Sequence, residues 1–486
     1  MLNDMALVDQ VLVAFKSQDR DRLVSLLREL KARNANLGAD WGKIARIATT
    51  IGEVGLALDA AGRYGDSAPV DPQTRLSQAG IMAELGAIGA AISVIKPLTA
   101  KKPDNAALFH FLGTAQSQIG DSKASLKNLR RALKIWETSG HTWLTLAALK
   151  KFSPSDPELQ KLKQLRGVME STPLKVRAAY LYALAKAFDD TEETDLALAH
   201  YAEGATLMRQ DRPYDAGRDL NFAHRLIQDF TPAALSTLRP SNVTDNRPIF
   251  VLGWPRTGTT LMEQILTSHS NVADGGEINL FQTAIMPLKG FSVDHAKAYE
   301  QRHQGEKNPW QPIAETYLHL ISERFGQEQR IIDKSLNNGR FLGLIHHIFP
   351  KAPIIWMRRN PEDAAWSCFK TFFNQGLEWS WSFDHIAHHF RAEDELRQHW
   401  MTLYPEAILE VPYEELVSTP DDWIPKILTH CGLAYEKKVM TFHKTKRAVL
   451  TSSVAQVRKP LTRTSINAAG RYAPYLKPFR DIYYTP

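Results

Sequence analysis

The sequence predicts a multidomain chain: an N-terminal all-α helical solenoid, then an α/β domain in which helices cover both faces of a parallel sheet, making three layers. Three observations predict this order. The first half has apolar residues at three- and four-residue spacing, this pattern repeats, and the second half has short apolar runs followed by glycine-containing or charged turns. A chain of 486 residues has room for two or three domains. We expect a helical domain over residues 1–228, a linker over 229–247 and the α/β domain over 248–486.

The repeat in the helical half has a period of 34 residues, the distance that separates Gly86 from Gly120. Small residues at such positions let paired antiparallel helices approach closely, and a period of this length resembles the tetratricopeptide repeat. A further copy covers Tyr180–Met208, whereas residues 5–70 show only a degenerate repeat. The alternative is an irregular helical bundle. A solenoid of this kind can bind a peptide or protein partner, or it can position the next domain.

Composition and charge are those of an ordinary globular protein, with 44% hydrophobic and 23% charged residues. The net charge of +6 suits an anionic ligand, although a solvated basic surface is an equally simple interpretation. No long Lys/Arg block favours nucleic acid. The two cysteines, Cys368 and Cys431, make neither a disulfide framework nor a zinc cluster, so we expect a cytoplasmic protein. The N-terminus is a poor signal peptide, and no apolar run predicts a membrane span.

The stretch FVLGWPRTGTTLMEQIL, which starts at Phe250, is similar to a phosphate-binding P-loop. It keeps Gly253 and Gly258 at the expected spacing, but Thr259 stands where the consensus has the lysine that reaches the terminal phosphates of a nucleoside triphosphate. A buried strand precedes the turn and a helical pattern follows it. We therefore expect the helix N-terminus and Arg256 to hold a phosphate-like anion.

Two further strands end in charged residues. In RIIDKS, the apolar strand pattern is followed by Asp333-Lys334. The lysine beside Asp333 argues against a magnesium ion on this aspartate. The run APIIWM is followed directly by Arg358-Arg359. The carboxyl end of such a strand is the edge where parallel α/β sheets bind ligands. A second anionic group is expected there, and surface ion pairing to nearby carboxylates is the alternative.

These segments together resemble the sulfotransferases that use 3′-phosphoadenosine 5′-phosphosulfate (PAPS). The resemblance rests on PIFVLGWPRTGTTLMEQILTSHSNVADGGE, on DKS and on RRNPEDAAWSC, and it is nearest to bacterial proteins that join tetratricopeptide repeats to a domain similar to tyrosylprotein sulfotransferase. It implies a P-loop-like sulfotransferase domain. It also implies transfer of the sulfuryl group of PAPS to a hydroxyl or phenol acceptor, with adenosine 3′,5′-bisphosphate as the product and no metal.

The resemblance also implies a role for particular residues. Glu277 matches the general base, Lys334 the lysine that stabilises the transferring group, and Arg256 contributes both to catalysis and to donor binding. The remaining matches are donor-binding residues: Thr257, Gly258, Thr259 and Thr260 for the 5′-phosphosulfate, Arg359 and Ser367 for the 3′-phosphate, and Tyr413 and Ser453 as further contacts. Taken alone, Glu277 could instead be a carboxylate at the N-terminus of a helix.

One position departs from the family pattern. A basic residue that reaches the 3′-phosphate is expected in the C-terminal segment SINAAGRYAPY, but Ala468 stands there. Arg471 is our first choice as a substitute, with Arg463 as the alternative.

The histidine pairs His346-His347 and His388-His389 do not have the spacing of a metal site. The second pair lies among the aromatic residues of WSWSFDHIAHHF, which either line an acceptor pocket or form a packing cluster with exposed imidazoles, and we favour packing.

Two other functions stay open at this point. One is a kinase-like protein that binds a nucleoside triphosphate, and Thr259 argues against it. The other is a non-catalytic repeat scaffold with a degenerate transferase domain, for which Ala468 is the only support. The sequence names no acceptor: protein tyrosine, carbohydrate and small phenols or alcohols all remain possible.

Overall fold

The structure is a computed structural model, which describes residues 3–327, 329–373, 376–445 and 460–485. The first 235 residues hold fifteen α-helices and no strand among the described residues. They are α1 Asp4–Lys16, α2 Arg20–Ala32, α3 Trp41–Thr50, α4 Val54–Ser67, α5 Pro72–Glu84, α6 Ile88–Lys101, α7 Ala106–Gln118, α8 Ser122–Ile135, α9 Gly140–Leu149, α10 Pro157–Gln164, α11 Arg166–Met169, α12 Leu174–Asp190, α13 Thr194–Asp211, α14 Ala216–Asp229 and α15 Pro232–Leu235.

Strands and helices alternate in the rest of the chain. They are β1 Pro248–Leu252, α16 Thr259–Leu266, β2 Val272–Gly276, α17 Leu280–Ala284, α18 Val293–Arg302, α19 Gln311–Phe325, β3 Arg330–Asp333, α20 Asn338–Ile348, β4 Ile354–Arg358, α21 Pro361–Phe369, α22 Phe383–Leu403, β5 Ile408–Pro412, α23 Tyr413–Ser418, α24 Pro420–His430 and α25 Lys477–Tyr483. Short 3-10 helices lie at Gly38–Asp40, Met286–Leu288, Glu378–Trp381, Lys437–Lys444, Arg463–Ser465 and Gly470–Leu476.

The helical repeat begins further towards the N-terminus than the sequence indicated. Gln18, Gly52, Gly86 and Gly120 follow the ends of α1, α3, α5 and α7, and all four have positive φ angles. A left-handed residue after a helix ends it and turns the chain back, so each of these positions joins an antiparallel pair. They are spaced 34 residues apart. The expectation of only a degenerate repeat over residues 5–70 is therefore wrong, because Gln18 takes this turn without being a glycine.

The five strands form one parallel sheet in the order β2-β3-β1-β4-β5. The central strand β1 therefore has β3 on one side and β4 on the other. Because parallel strands end at the same edge, the segments that follow β1, β2, β3 and β4 meet there. This edge carries the residues that the sequence assigns to the site.

Helices cover both faces of the sheet. Side chains of Ile249 and Val251 join a core with α16 and α24, whereas those of Phe250 and Leu252 join a second core with α17, α19, α20 and α22. This alternation is that of a strand buried on both faces. The predicted order, a helical region followed by a three-layer domain with a parallel sheet, is confirmed.

The helical half packs directly on the sheet domain. Tyr182 and Tyr201 share one hydrophobic cluster with Trp366 of α21 and Phe390 of α22. Leu226 of α14 belongs to the core on one face of the sheet. The boundaries at residues 228 and 248 stay a prediction. Among the described residues, no helix has both the length and the apolar character needed to cross a membrane.

Candidate active site

The loop between β1 and α16 is a tight cradle in which two glycines are required. Gly253 has φ +135°, and a Cβ there would lie 2.6 Å from the carbonyl oxygen of Met357. Gly258 has φ +99°, and its Cβ would lie 2.6 Å from the ring of Tyr413. The hydroxyl of Thr257 donates to the carbonyl of Trp254 at 2.7 Å, which closes the turn. The helix that starts at Thr259 adds its partial positive charge to this loop.

Arg256, Arg359 and Ser367 meet beside this loop, although 111 residues separate Arg256 from Ser367. Arg256 Nε donates to Ser367 Oγ at 2.9 Å, and Arg359 Nη1 donates to the carbonyl of Arg256 at 2.8 Å. Arg359 lies over the ring of Tyr413, with 4.9 Å from Cζ to the ring centroid. The structure therefore brings together four of the residues that the sequence assigned to donor binding.

This group brings two guanidinium groups close together. Burial lowers the pKa of Arg256 below its ordinary value, and the charge of Arg359 lowers it further. Arg359 is 8% exposed, and its Nε has no hydrogen-bond partner in the described part of the chain. A buried donor without an acceptor is costly, so an anion at this point would be stabilising. The neighbouring Arg358 instead pairs with Asp394 of α22 at 2.8 Å.

Glu277 and Lys334 form an ion pair at the carboxyl ends of β2 and β3. Lys334 Nζ donates to Glu277 Oε1 at 2.8 Å, and the backbone N–H of Lys334 donates to the carbonyl of Gly276 at 2.9 Å. The Lys334 side chain is 0% exposed and that of Glu277 is 39% exposed, so the carboxylate is the member of the pair that solvent reaches. The helix-terminus interpretation of Glu277 loses support, because α17 begins only at Leu280.

The sequence did not point to Glu263. Its carboxylate lies 3.6 Å from Lys334 Nζ, and its side chain is only 3% exposed. Glu263 stands four residues after Thr259 on α16, so helical periodicity places it one turn beyond the phosphate loop. An acidic residue beside the apolar Met262 and Ile265 of α16 was the available signal.

Asp333 does not face the site. Its buried carboxylate accepts hydrogen bonds from Tyr317 Oη at 2.9 Å, Asn338 Nδ2 at 2.9 Å, and the N–H and hydroxyl of Ser335 at 3.0 and 2.6 Å. Burial raises the pKa of Asp333 although these bonds oppose the rise. Asp333 therefore ties β3 to α19 and α20, and the magnesium role argued against above gains no support.

One predicted residue, Arg471, is not part of these groups. The Arg471 guanidinium lies 3.7 Å from Asp189 and 3.9 Å from Glu192, both in the helical half, and its side chain is 52% exposed. Thr260 is buried in the first turn of α16. Ser453 falls outside the described residues.

The C-terminal segment around Ala468 is held by α21. The Asp363 carboxylate accepts from the N–H groups of Asn467 at 2.7 Å and Ala469 at 2.8 Å. Arg359 Nη2 donates to the carbonyl of Ser465 at 2.5 Å. The segment thus closes over the Arg359 side of the site through its backbone.

The aromatic residues near His389 form a packing cluster. Trp379 is 4% exposed and stacks on His389 with 4.2 Å between ring centroids, and His389 Nδ1 lies 2.6 Å from Asp219 Oδ2. The aromatic side chains pack as we favoured, but the expected exposure of the imidazoles is wrong for His389, which is buried and contacts Asp219. The described residues contain one group of metal-ligand type, Glu53, His319 and Glu323, between the helical half and α19, where Glu53 also pairs with Arg20.

The sheet domain is similar to known proteins. Residues 248–437 match the model of the sulfotransferase family. This segment includes β1 to β5 and the loop, Glu277, Lys334, Arg359 and Ser367. The match to this family therefore falls on the C-terminal part of the chain, which carries the parallel sheet and the residues described above.

Three relatives show sequence similarity. An uncharacterized protein of Aquifex aeolicus is 30% identical over 344 residues, which are 69% of this chain and 45% of that protein, so this chain spans less than half of its length. A putative protein-tyrosine sulfotransferase of Caenorhabditis briggsae is 22% identical over 45% of this chain and 77% of its own length. A protein-tyrosine sulfotransferase of Drosophila melanogaster is 22% identical over 40% of this chain and 39% of its own length.

Solved structures give weaker matches. The sulfotransferase domain of the Synechococcus PCC 7002 olefin synthase has 19% identity and a TM-score of 0.32, over 49% of this chain and 98% of that domain. The sulfotransferase domain from the curacin biosynthetic pathway has 16% identity and a TM-score of 0.29, over 49% and 98%.

Proposed function

We propose that this chain transfers a sulfuryl group from PAPS to the hydroxyl or phenol oxygen of an acceptor. The observation that carries the proposal is the ion pair between Lys334 and Glu277, which lies at the same sheet edge as the phosphate loop. The match to the sulfotransferase family supports it.

Two features of the site fit a nucleotide that carries two separate anionic groups. The glycine cradle and the N-terminus of α16 would hold the 5′-phosphosulfate through Arg256 to Thr260. Arg359, whose Nε has no hydrogen-bond partner among the described residues, and Ser367 would hold the 3′-phosphate, and Tyr413 lies beneath Arg359. When bound, PAPS would supply the activated sulfuryl group.

The protein's own part in transfer follows from the ion pair. Glu277 is partly exposed, so an acceptor hydroxyl can approach its carboxylate, which would accept the proton. Lys334 is enclosed and keeps its ammonium at a defined place, where it would offset the negative charge that develops during transfer. Arg256 would add positive charge from the other side of the loop.

The alternatives have less support. A triphosphate site needs a cation after Gly258 and an available metal ligand, but Thr259 is uncharged and Asp333 is enclosed by four hydrogen bonds. A non-catalytic scaffold gives no reason for a buried lysine held against a partly exposed carboxylate. A peptide partner for the helical repeats, donor binding by Arg471 and Ser453, and a cytoplasmic location stay predictions.

The direct test is transfer of radiolabelled sulfate from PAPS to a panel of acceptors. Because two similar proteins are named protein-tyrosine sulfotransferases, the panel includes a tyrosine peptide beside carbohydrates and small phenols and alcohols. Label on at least one acceptor class is the expected result. No transfer to any class, by a protein that binds the nucleotide, would favour the scaffold.

Glu277→Gln separates the base from donor binding. We expect transfer to fall by about 100-fold or more, because the amide cannot accept the proton. Binding of adenosine 3′,5′-bisphosphate, measured by calorimetry, should stay within about twofold because the amide keeps the shape of the side chain. Glu406→Gln, at an exposed position, is the matched control. Unchanged turnover in Glu277→Gln would remove this residue as the base.

A further inference from the structure

The helical half reaches the phosphate-binding side of the sheet domain through α12. The hydroxyl of Tyr182 donates to the carbonyl of Phe369, the last residue of α21, at 3.0 Å. Trp366 of α21 stacks on Tyr472 with 3.6 Å between ring centroids. Both Tyr182 and Trp366 are buried, and the hydrogen bond of Tyr182 holds the middle of α12 against the end of α21.

Asp189 lies at this contact and faces three groups from the sheet domain. Its Oδ1 accepts from the Tyr472 hydroxyl at 2.7 Å and lies 3.7 Å from Arg471. Its Oδ2 lies 3.6 Å from the Lys370 ammonium. At that distance the carboxylate attracts Lys370 without a close hydrogen bond.

Lys370 also belongs to the positive side of the site. It follows Ser367 by three residues, so it lies on the same face of the end of α21 as the serine that contacts Arg256. Burial lowers the pKa of Lys370, Asp189 opposes this, and the charges of Arg256 and Arg359 lower the pKa further. The Lys370 ammonium therefore lies 3.6 Å from a carboxylate of the helical half, and its residue lies about one helical turn after Ser367.

On the basis of the proposed function, we propose that Lys370 is a further ligand of the 3′-phosphate, and that Asp189 of the helical half competes with this phosphate for the Lys370 ammonium. The lysine supplies the cation that Ala468 does not, from α21 rather than from the C-terminal segment. The long side chain of lysine can turn from the carboxylate to a phosphate at little cost. The helical half thereby lowers the affinity for the donor and for the bisphosphate product.

The test compares two nucleotides that differ only in the 3′-phosphate. Calorimetry measures binding of adenosine 3′,5′-bisphosphate and of adenosine 5′-monophosphate to the full chain. Lys370→Met should weaken bisphosphate binding by about tenfold, through loss of a charge-assisted contact, and leave monophosphate binding within about twofold. Lys370→Arg should restore most of the affinity. Lys477→Met, at a side chain that is 75% exposed and pairs with Asp481, is the control and should change neither.

Asp189→Asn distinguishes competition from a structural role. The amide keeps an acceptor for Tyr472 but removes the negative charge, so bisphosphate binding should become about threefold tighter. In the double variant with Lys370→Met, this gain should disappear. If Asp189 has only a structural role, Asp189→Asn should bind the bisphosphate more weakly, or its effect should be the same with and without Lys370→Met.

The outcomes separate this inference from the proposed function. Wild-type protein that fails to bind the bisphosphate overturns both. A second outcome is that the wild-type protein binds the bisphosphate, but Lys370→Met weakens binding of both nucleotides equally or of neither. This outcome overturns only the role of Lys370. Unchanged or weaker bisphosphate binding in Asp189→Asn overturns the competition.

Discussion

The two sides of the site differ in how their charges are balanced. At β2 and β3, the Lys334 ammonium lies 2.8 Å from Glu277 and 3.6 Å from Glu263, so carboxylates of the protein balance its positive charge. At β1 and β4, Arg256 and Arg359 contact each other through a backbone carbonyl, and Arg359 Nε has no partner within the described chain. A carboxylate held by an ammonium is suited to accepting a proton from an acceptor, and two neighbouring guanidinium groups are suited to holding an anion. We infer that catalysis and donor binding are separable by mutation.

The largest effect is expected at the balanced side. Lys334→Met should lower transfer by about 1,000-fold, because the positive charge that offsets the developing negative charge is lost. The free energy of unfolding should also fall by about 3 kcal/mol, since the ammonium is buried between carboxylates. Turnover with labelled PAPS and urea denaturation measure the two effects. Lys334→Arg, which keeps a positive charge at this position, is the control for Lys334→Met. Transfer at the wild-type rate in Lys334→Met would end the catalytic role of this side.

Arg359→Met should produce the opposite pattern. Binding of adenosine 3′,5′-bisphosphate is expected to weaken by about 100-fold, because a guanidinium that contacts a phosphate is removed. Turnover at saturating PAPS should stay within about fivefold of wild type. A titration of the rate against PAPS concentration gives both values. If the maximal rate falls as much as the affinity, the separation between the two sides is wrong.

The smallest effect is expected for Arg471→Gln. Arg471 is half-exposed and lies beside Asp189 and Glu192, so its charge reaches a bound phosphate only at longer range. Bisphosphate binding should weaken by about two- to threefold at low salt and by less at 0.5 M salt. A tenfold loss that persists in high salt would instead place Arg471 in direct contact with the phosphate, as the sequence suggested.

Much of the fold was predictable because its signals are local. The apolar run before Gly253 and the glycine spacing predicted the strand, turn and helix, and the parallel sheet then brought the ends of β1 and β4 together. The assignment of Arg359 and Ser367 to one anion was available only through the family resemblance, and the hydrogen bond from Arg256 to Ser367 was not predicted. The start of the repeat was missed because Gln18 adopts φ +56° without the glycine that marks such a turn.

The unpredicted residues act across long separations. Lys370 lies close to Asp189 of α12 because Tyr182 and Trp366 hold the helical half against α21. No residue spacing in the sequence predicts this contact. Glu263 is visible as an acid within α16, but its approach to Lys334 depends on β3 lying beside β1. Tertiary packing decides both.

Calorimetric titration of the full chain with adenosine 3′,5′-bisphosphate in the presence of EDTA tests the central claim most directly. The loop, Arg359 and Ser367 predict binding without a divalent metal, and tighter binding than that of adenosine 5′-monophosphate or ATP. Absence of binding, or binding of ATP that is stronger and depends on magnesium, would contradict the assignment of this site to a sulfuryl donor.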